Sequence, residues 1–128
     1  MTAGARKADY QAKATGGSRS QLEMLRGLAL EPQVYEELLS VCEHSRIGFS
    51  STGFDEQSVN FLVNLGVDFL KIPSGEITNL PLLRHIGSQG KPLILSTGMA
   101  TLAEIGAALK VLENAGTPRE KLTVLQCN

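Results

Sequence analysis

From about residue 47 onward, short apolar runs alternate with amphipathic segments. The runs are Ile47-Gly48-Phe49, Val67 to Ile72, Leu93-Ile94-Leu95 and Leu122 to Leu125. Each has strand length and offers apolar side chains to both faces, the pattern of parallel strands covered by helices. The clearest intervening helix is predicted over Leu102 to Ala115, where Leu102, Ile105, Leu109 and Leu112 share one stripe. Thr101 followed by Glu104 gives it a capping box. Asn79 with Pro81 predicts the start of the preceding helix, and Glu31-Pro32 the start of another running to about His44. A further helix is predicted over Glu56 to Leu65. Gly66, Gly90 and Gly116 each precede a strand, where a left-handed glycine that ends a helix is expected.

The first part of the chain is less regular. Ser20 and Glu23 form a second capping-box pattern, which predicts a short helix over Ser20 to Leu28. Residues 1–17, rich in Ala, Gly and Lys, read as a loop or loose end ahead of a domain spanning 18–128. The fold class this order defines is α/β with a parallel sheet.

Three strands end in a small polar residue followed by glycine: Ser51-Thr52-Gly53, Pro73-Ser74-Gly75 and Ser96-Thr97-Gly98. The glycines fall 22 and 23 residues apart, about one βα unit each. Any single βα loop favours Ser, Thr and Gly for its turn and cap. Three in succession at strand C-termini point to a shared binding face, because ligands of α/β folds collect there.

Lys71 interrupts the second run. On a strand, Leu70 and Ile72 face one way while Phe69 and Lys71 face the other. If the first pair packs on helices, Lys71 points into a barrel interior or sheet crevice. A buried, unpaired ammonium is costly, so such a site should offer it an anion. The alternative is snorkelling, with a packed stem and an ammonium that escapes at the strand end. Two chemistries suit an inward lysine. A Schiff base needs a neutral amine. An anion clamp needs a charged one beside hydroxyls and loop N–H groups, which Thr52, Ser74, Ser96, Gly75 and Gly98 can supply. Glu76 can handle a proton or hold a sugar hydroxyl, or it can serve as a first-turn helix acid.

Composition narrows the partners. The chain has 128 residues, long enough for one domain with a core. A net charge of −1 gives no overall attraction to nucleic acid or anionic membrane, so an anionic ligand must be held by local groups. The apolar runs are too short to cross a bilayer, and the N-terminus lacks a signal-like apolar core. Cys42 and Cys127 form no CxxC pattern and read as free thiols of a reducing, cytoplasmic compartment. His44 and His85 are not spaced as a metal pair on one helix.

The motifs KIPSGEITNLPLLRHI, GKPLILSTGMATLAEI and LTVLQCN resemble the N-acetylneuraminate (sialic acid) synthase family, including its legionaminic-type relatives. KADYQ and SQLEMLRGLAL are similar to the same family's loop and helix after its second strand. The resemblance covers nearly the whole chain, and KIxSGE together with GKPxILSTGM carries most of its specificity. It implies part of a (β/α)8 TIM barrel, about strands 3 to 6 with their helices, with the family's C-terminal antifreeze-like domain absent. The implied reaction condenses phosphoenolpyruvate with an N-acetylated amino sugar (N-acetylmannosamine or a related 2,4-diacetamido sugar) to a nonulosonic acid plus phosphate.

By the same resemblance, Thr52, Lys71, Ser74 and Ser96 match the phosphoenolpyruvate-binding residues, and Glu76 matches the active-site glutamate. Lys71 is then a clamp and not a Schiff-base lysine. A divalent metal, Mn2+ or Mg2+, is implied for the intact enzyme, with ligands outside this chain. The enzyme is implied to be a homodimer acting on small molecules, without nucleic acid or membrane partners. The chain departs from the family at Gly53, where many members have proline, which suggests a looser loop. The family's early glutamate, second-strand lysine, two metal-binding histidines and C-terminal arginine have no counterparts here. Alone, the chain is therefore expected to be catalytically silent and marginally stable. Two other readings remain open at this point: another phosphoenolpyruvate or sugar-phosphate barrel, such as a Schiff-base aldolase using Lys71, and an inert truncated chain.

Overall fold

The structure is a computed structural model that describes residues 9–14 and 20–127. The chain divides into two compact units, Met1–Glu37 and Leu38–Asn128.

In the first unit, α1 (Asp9–Ala14) lies within the segment expected to be a loop. Asp9 in its first turn and Lys13 in its last complement the helix dipole, and Gln and Ala between them are good helix formers. The rest of the expected loop lies outside the described residues. Helix α2 (Gln21–Arg26) starts as predicted. The Glu23 backbone N–H donates to Ser20 Oγ at 3.2 Å, and the Ser20 N–H donates to Glu23 Oε2 at 2.8 Å. Helix α3 (Pro32–His44), which begins in the first unit and ends in the second, also follows its sequence signal.

The second unit holds β1 (Leu70–Ile72), β2 (Leu93–Ser96) and β3 (Leu122–Leu125), all parallel in the order β1-β2-β3. The connecting helices are α5 (Leu80–Gly87) and α6 (Leu102–Ala115), with α4 (Glu56–Leu65) ahead of β1. Leu70, Ile72, Leu93 and Leu95 are buried on one sheet face, in a core with Leu82, Leu83 and Ile86 of α5 and Leu112 of α6. Gly66 and Gly116 end α4 and α6 in the left-handed region as predicted. Gly90 is left-handed too, but it is not the cap of α5, which ends on Ser88.

The expected strand at Ile47-Gly48-Phe49 does not join the sheet. Leu70 N–H is bonded to Pro92 on the β2 side, so the Phe69 carbonyl points the opposite way. There it accepts from Ser50 Oγ at 2.9 Å, which uses the acceptor that a backbone ladder would need. Ile47 remains 61% exposed, so little apolar burial favours regular pairing.

Asp55 caps α4 by accepting the Ser58 N–H at 2.7 Å, and this bond holds its carboxyl below the usual 3.8. The ionised cap therefore adds stability above pH 3.8 that fades as pH falls through the lower folded value. Asp55→Ala is expected to cost about 1 kcal/mol at pH 7. Asp55→Asn should keep most of the cap while losing its acid dependence, and melting at pH 7 and at about pH 3 checks both.

Candidate functional site

The parallel strands deliver their polar residues to one end of the sheet. Lys71 is half-buried and faces away from Leu70 and Ile72. Register sets Lys71 beside Ile94 and Ile94 beside Thr123, so Lys71 and Ser96 share a sheet face. Ser96 is 7% exposed and Thr97 8%. Thr97 ties β2 to β3, since its N–H and its Oγ1 both donate to the Leu125 carbonyl, at 3.2 and 2.8 Å.

Gly98 brings three strand ends together. A Cβ at this position would lie 3.2 Å from Ser74 Oγ and 3.6 Å from Cys127 Cβ. The next residue, Met99, takes a left-handed φ of 60° and is almost fully exposed. Glycine is thus spent where the strand ends converge, and the strained turn position falls to methionine.

Two clefts open at these ends. One, of about 300 Å³, is lined by Ser50, Ser51, Thr52, Phe69 and Lys71. The other, of about 430 Å³, is lined by Ser74, Gly75, Thr78, Gly98, Met99 and Glu104 among others. The structure therefore joins Thr52 to Lys71 and Ser74 to Gly98, while Ser96 and Glu76 line neither cleft. No carboxylate among the described residues pairs with the Lys71 side chain.

Glu76 sits in a one-turn 3-10 helix, Ser74–Glu76, directly after β1. It is an acid in the first turn of that short helix and lies ahead of α5, so the first-turn role concerns the 3-10 turn and not α5. Its Oε2 accepts from Asn79 Nδ2 at 2.7 Å, a partner that the sequence signalled only as a helix start. Gly53, expected in a looser loop, is instead buried. A Cβ there would lie 2.9 Å from Val59 Cγ2 and 3.0 Å from Val59 N, so the loop packs hard on the start of α4.

Both histidines lie on helices, with His44 Nδ1 at 2.7 Å from the Ser40 carbonyl and His85 Nε2 at 2.8 Å from Asn60 Oδ1. Among the described residues, no three of His, Cys, Asp and Glu converge as metal ligands. These residues do not fit a divalent metal site by themselves.

Parallel strands linked by helices, with lysine and hydroxyl groups at their C-terminal ends, place this chain among α/β folds that gather ligands at strand ends. The NeuB family profile matches residues 1–128, and the chain belongs to this family. It is 48% identical over 123 residues to the N,N'-diacetyllegionaminic acid synthase of Campylobacter jejuni, covering 96% of this chain and 37% of that protein. With the Legionella pneumophila enzyme of the same name it shares 48% identity over 107 residues, 84% of this chain and 30% of that protein. Among solved structures, it is similar to N-acetylneuraminic acid synthetase from Leptospira borgpetersenii in complex with citrate. That match has a TM-score of 0.78 and 27% identity, and covers 91% of this chain and 40% of the other. The chain thus spans between 30% and 40% of the length of these relatives, and its fold is a partial (β/α)8 barrel.

Proposed function

We propose that the chain carries the phosphoenolpyruvate side of a synthase that condenses this substrate with an N-acetylated amino sugar, giving a nonulosonic acid and phosphate. The observation that carries this reading is Lys71, half-buried on the sheet face away from the helices, without an acidic partner among the described residues, in one cleft with Thr52. The Lys71 ammonium and the hydroxyls of Thr52, Ser74 and Ser96 hold the anionic substrate, and backbone N–H groups can approach closely at Gly75 and Gly98. C3 of phosphoenolpyruvate forms the new carbon–carbon bond to the open-chain sugar aldehyde. Water adds at C2, and the C2–O bond to phosphate then breaks. Glu76, in the turn that follows β1, handles a proton in this reading.

The 48% identity to two diacetyllegionaminic acid synthases supports a 2,4-diacetamido sugar as partner substrate over N-acetylmannosamine. A divalent metal, Mn2+ or Mg2+, enters this reading only with ligands from outside these residues, and no step above depends on it. In this reading, residues 18–128 belong to the barrel domain of a homodimeric enzyme. Cys42 and Cys127, both free thiols, support a cytoplasmic setting, and no helix among the described residues is long and apolar enough to cross a membrane.

A Schiff-base aldolase is the competing use of Lys71. Incubation with pyruvate and borohydride is expected to leave the mass of the chain unchanged. A reduced adduct on Lys71 would replace the clamp with aldolase chemistry.

A further inference from the structure

We infer that Asn79 is a positioning residue that aims the Glu76 carboxylate, using the same side-chain amide that caps α5. The inference rests on the proposed role of Glu76. The Asn79 amide works in two directions. Its Oδ1 accepts the Leu82 N–H at 3.3 Å, which is the N-cap bond of α5, while its Nδ2 donates to Glu76 Oε2 at 2.7 Å. The chemistry of the two partners determines the orientation of the amide. A flip would set oxygen against carboxylate and NH₂ against a backbone N–H, losing both bonds.

Two further backbone bonds stiffen the link. Asn79 N–H donates to the Glu76 carbonyl at 2.9 Å, and the Asn79 carbonyl accepts the Leu83 N–H at 2.9 Å. Leu82, Leu83 and Ile86 anchor α5 in the core. The carboxylate is therefore referenced to a buried helix and not to a loop alone. A 3-10 turn of three residues has no such rigidity of its own. One Glu76 oxygen is held by the amide, and the proposed proton handling then falls to the other.

A capping residue chosen only for the helix could equally be Ser or Asp. Those two substitutions separate the roles. Asn79→Ser keeps a cap acceptor but cannot reach Glu76. Asn79→Asp keeps the cap and sets a carboxylate against a carboxylate. In the 128-residue chain with carbon-13-labelled glutamate carboxyls, both variants are expected to move the Glu76 resonance while Tm stays within about 3 °C of wild type. In the full-length synthase carrying these residues, Asn79→Ser should lower kcat about tenfold, and Asn79→Asp further, with KM for phosphoenolpyruvate unchanged.

A Glu76 resonance that stays in place in both variants overturns the inference. So does a kcat within about twofold of wild type, or a kcat that falls only in step with Tm. If the unmodified synthase makes no product, the proposed function fails, and the resonance measurement still decides whether Asn79 holds Glu76.

Discussion

Lys71→Ala is expected to abolish measurable phosphoenolpyruvate binding while leaving the fold intact. The fold should survive because the packing of β1 rests on Leu70 and Ile72, which are buried on the opposite face, and Lys71 forms no ion pair among the described residues. Binding should not survive, because the anion would meet hydroxyls and backbone N–H groups but no positive charge. A charge-assisted hydrogen bond contributes about 1.5–3 kcal/mol, so its removal weakens affinity by roughly ten- to a hundredfold or more. Lys71→Arg should retain part of the affinity, since charge remains while the shape of the donor changes. Lys110→Ala, on the exposed side of α6, serves as the control and should have no effect. Calorimetry with phosphoenolpyruvate, alongside circular dichroism for the fold, measures both halves.

The second large effect concerns the layer that holds the strand ends. Gly87 closes α5 against α6, and a Cβ there would stand 2.7 Å from Ala115 Cβ and 3.1 Å from the Leu112 carbonyl oxygen. One of these neighbours is backbone and cannot turn aside. Thr117 Oγ1, buried nearby, donates to the Gly87 carbonyl at 2.9 Å, so movement of α5 would strain that bond as well. In an exposed helix, Gly→Ala stabilises by up to about 1 kcal/mol. Here overpacking of about 1–3 kcal/mol should outweigh that gain and lower stability. For a domain of this size, each kcal/mol corresponds to a fall in Tm of roughly 4–8 °C. A rise in Tm for Gly87→Ala would show that α5 and α6 are packed less closely than described.

Much of this arrangement was legible from residue patterns, for reasons that are local. Helix α6 announces itself through its apolar stripe, of which Leu112 is buried while Leu102 stays 88% exposed, and through its capping box. In that box Thr101 N–H donates to Glu104 Oε2 at 2.7 Å and Glu104 N–H donates to Thr101 Oγ1 at 3.3 Å. The strand-end repeat pointed to a common face, and Ser74 and Gly98 do meet, whereas Thr52 lines a separate cleft with Lys71. What escaped depends on side-chain contacts that apolar periodicity does not encode, whether their partners are near or distant in sequence. Ile47 to Phe49 has the apolarity of a strand, but a serine side chain takes its partner's carbonyl. Gly53 looked loose because it replaces the proline of many family members, whereas its contact with Val59, six residues on, is what fixes the loop. Asn79 carried a cap signal, and no periodicity shows that the same amide also reaches Glu76. Within the candidate site, the alternation that turns Lys71 away from Leu70 and Ile72 was readable, whereas the division of Thr52 and Ser74 between two clefts was not.

The most direct measurement is a titration of the nitrogen-15-labelled chain with phosphoenolpyruvate, followed residue by residue by NMR. Weak binding with Kd of about 1 mM, or about −4 kcal/mol, would suffice for detection. The expected result is a saturable set of shifts at Thr52, Lys71, Ser74, Ser96 and Gly98, absent in Lys71→Ala. Shifts confined to the outer groove between Arg84 and Asn114, or shifts that persist unchanged in Lys71→Ala, would contradict an anion clamp at these strand ends.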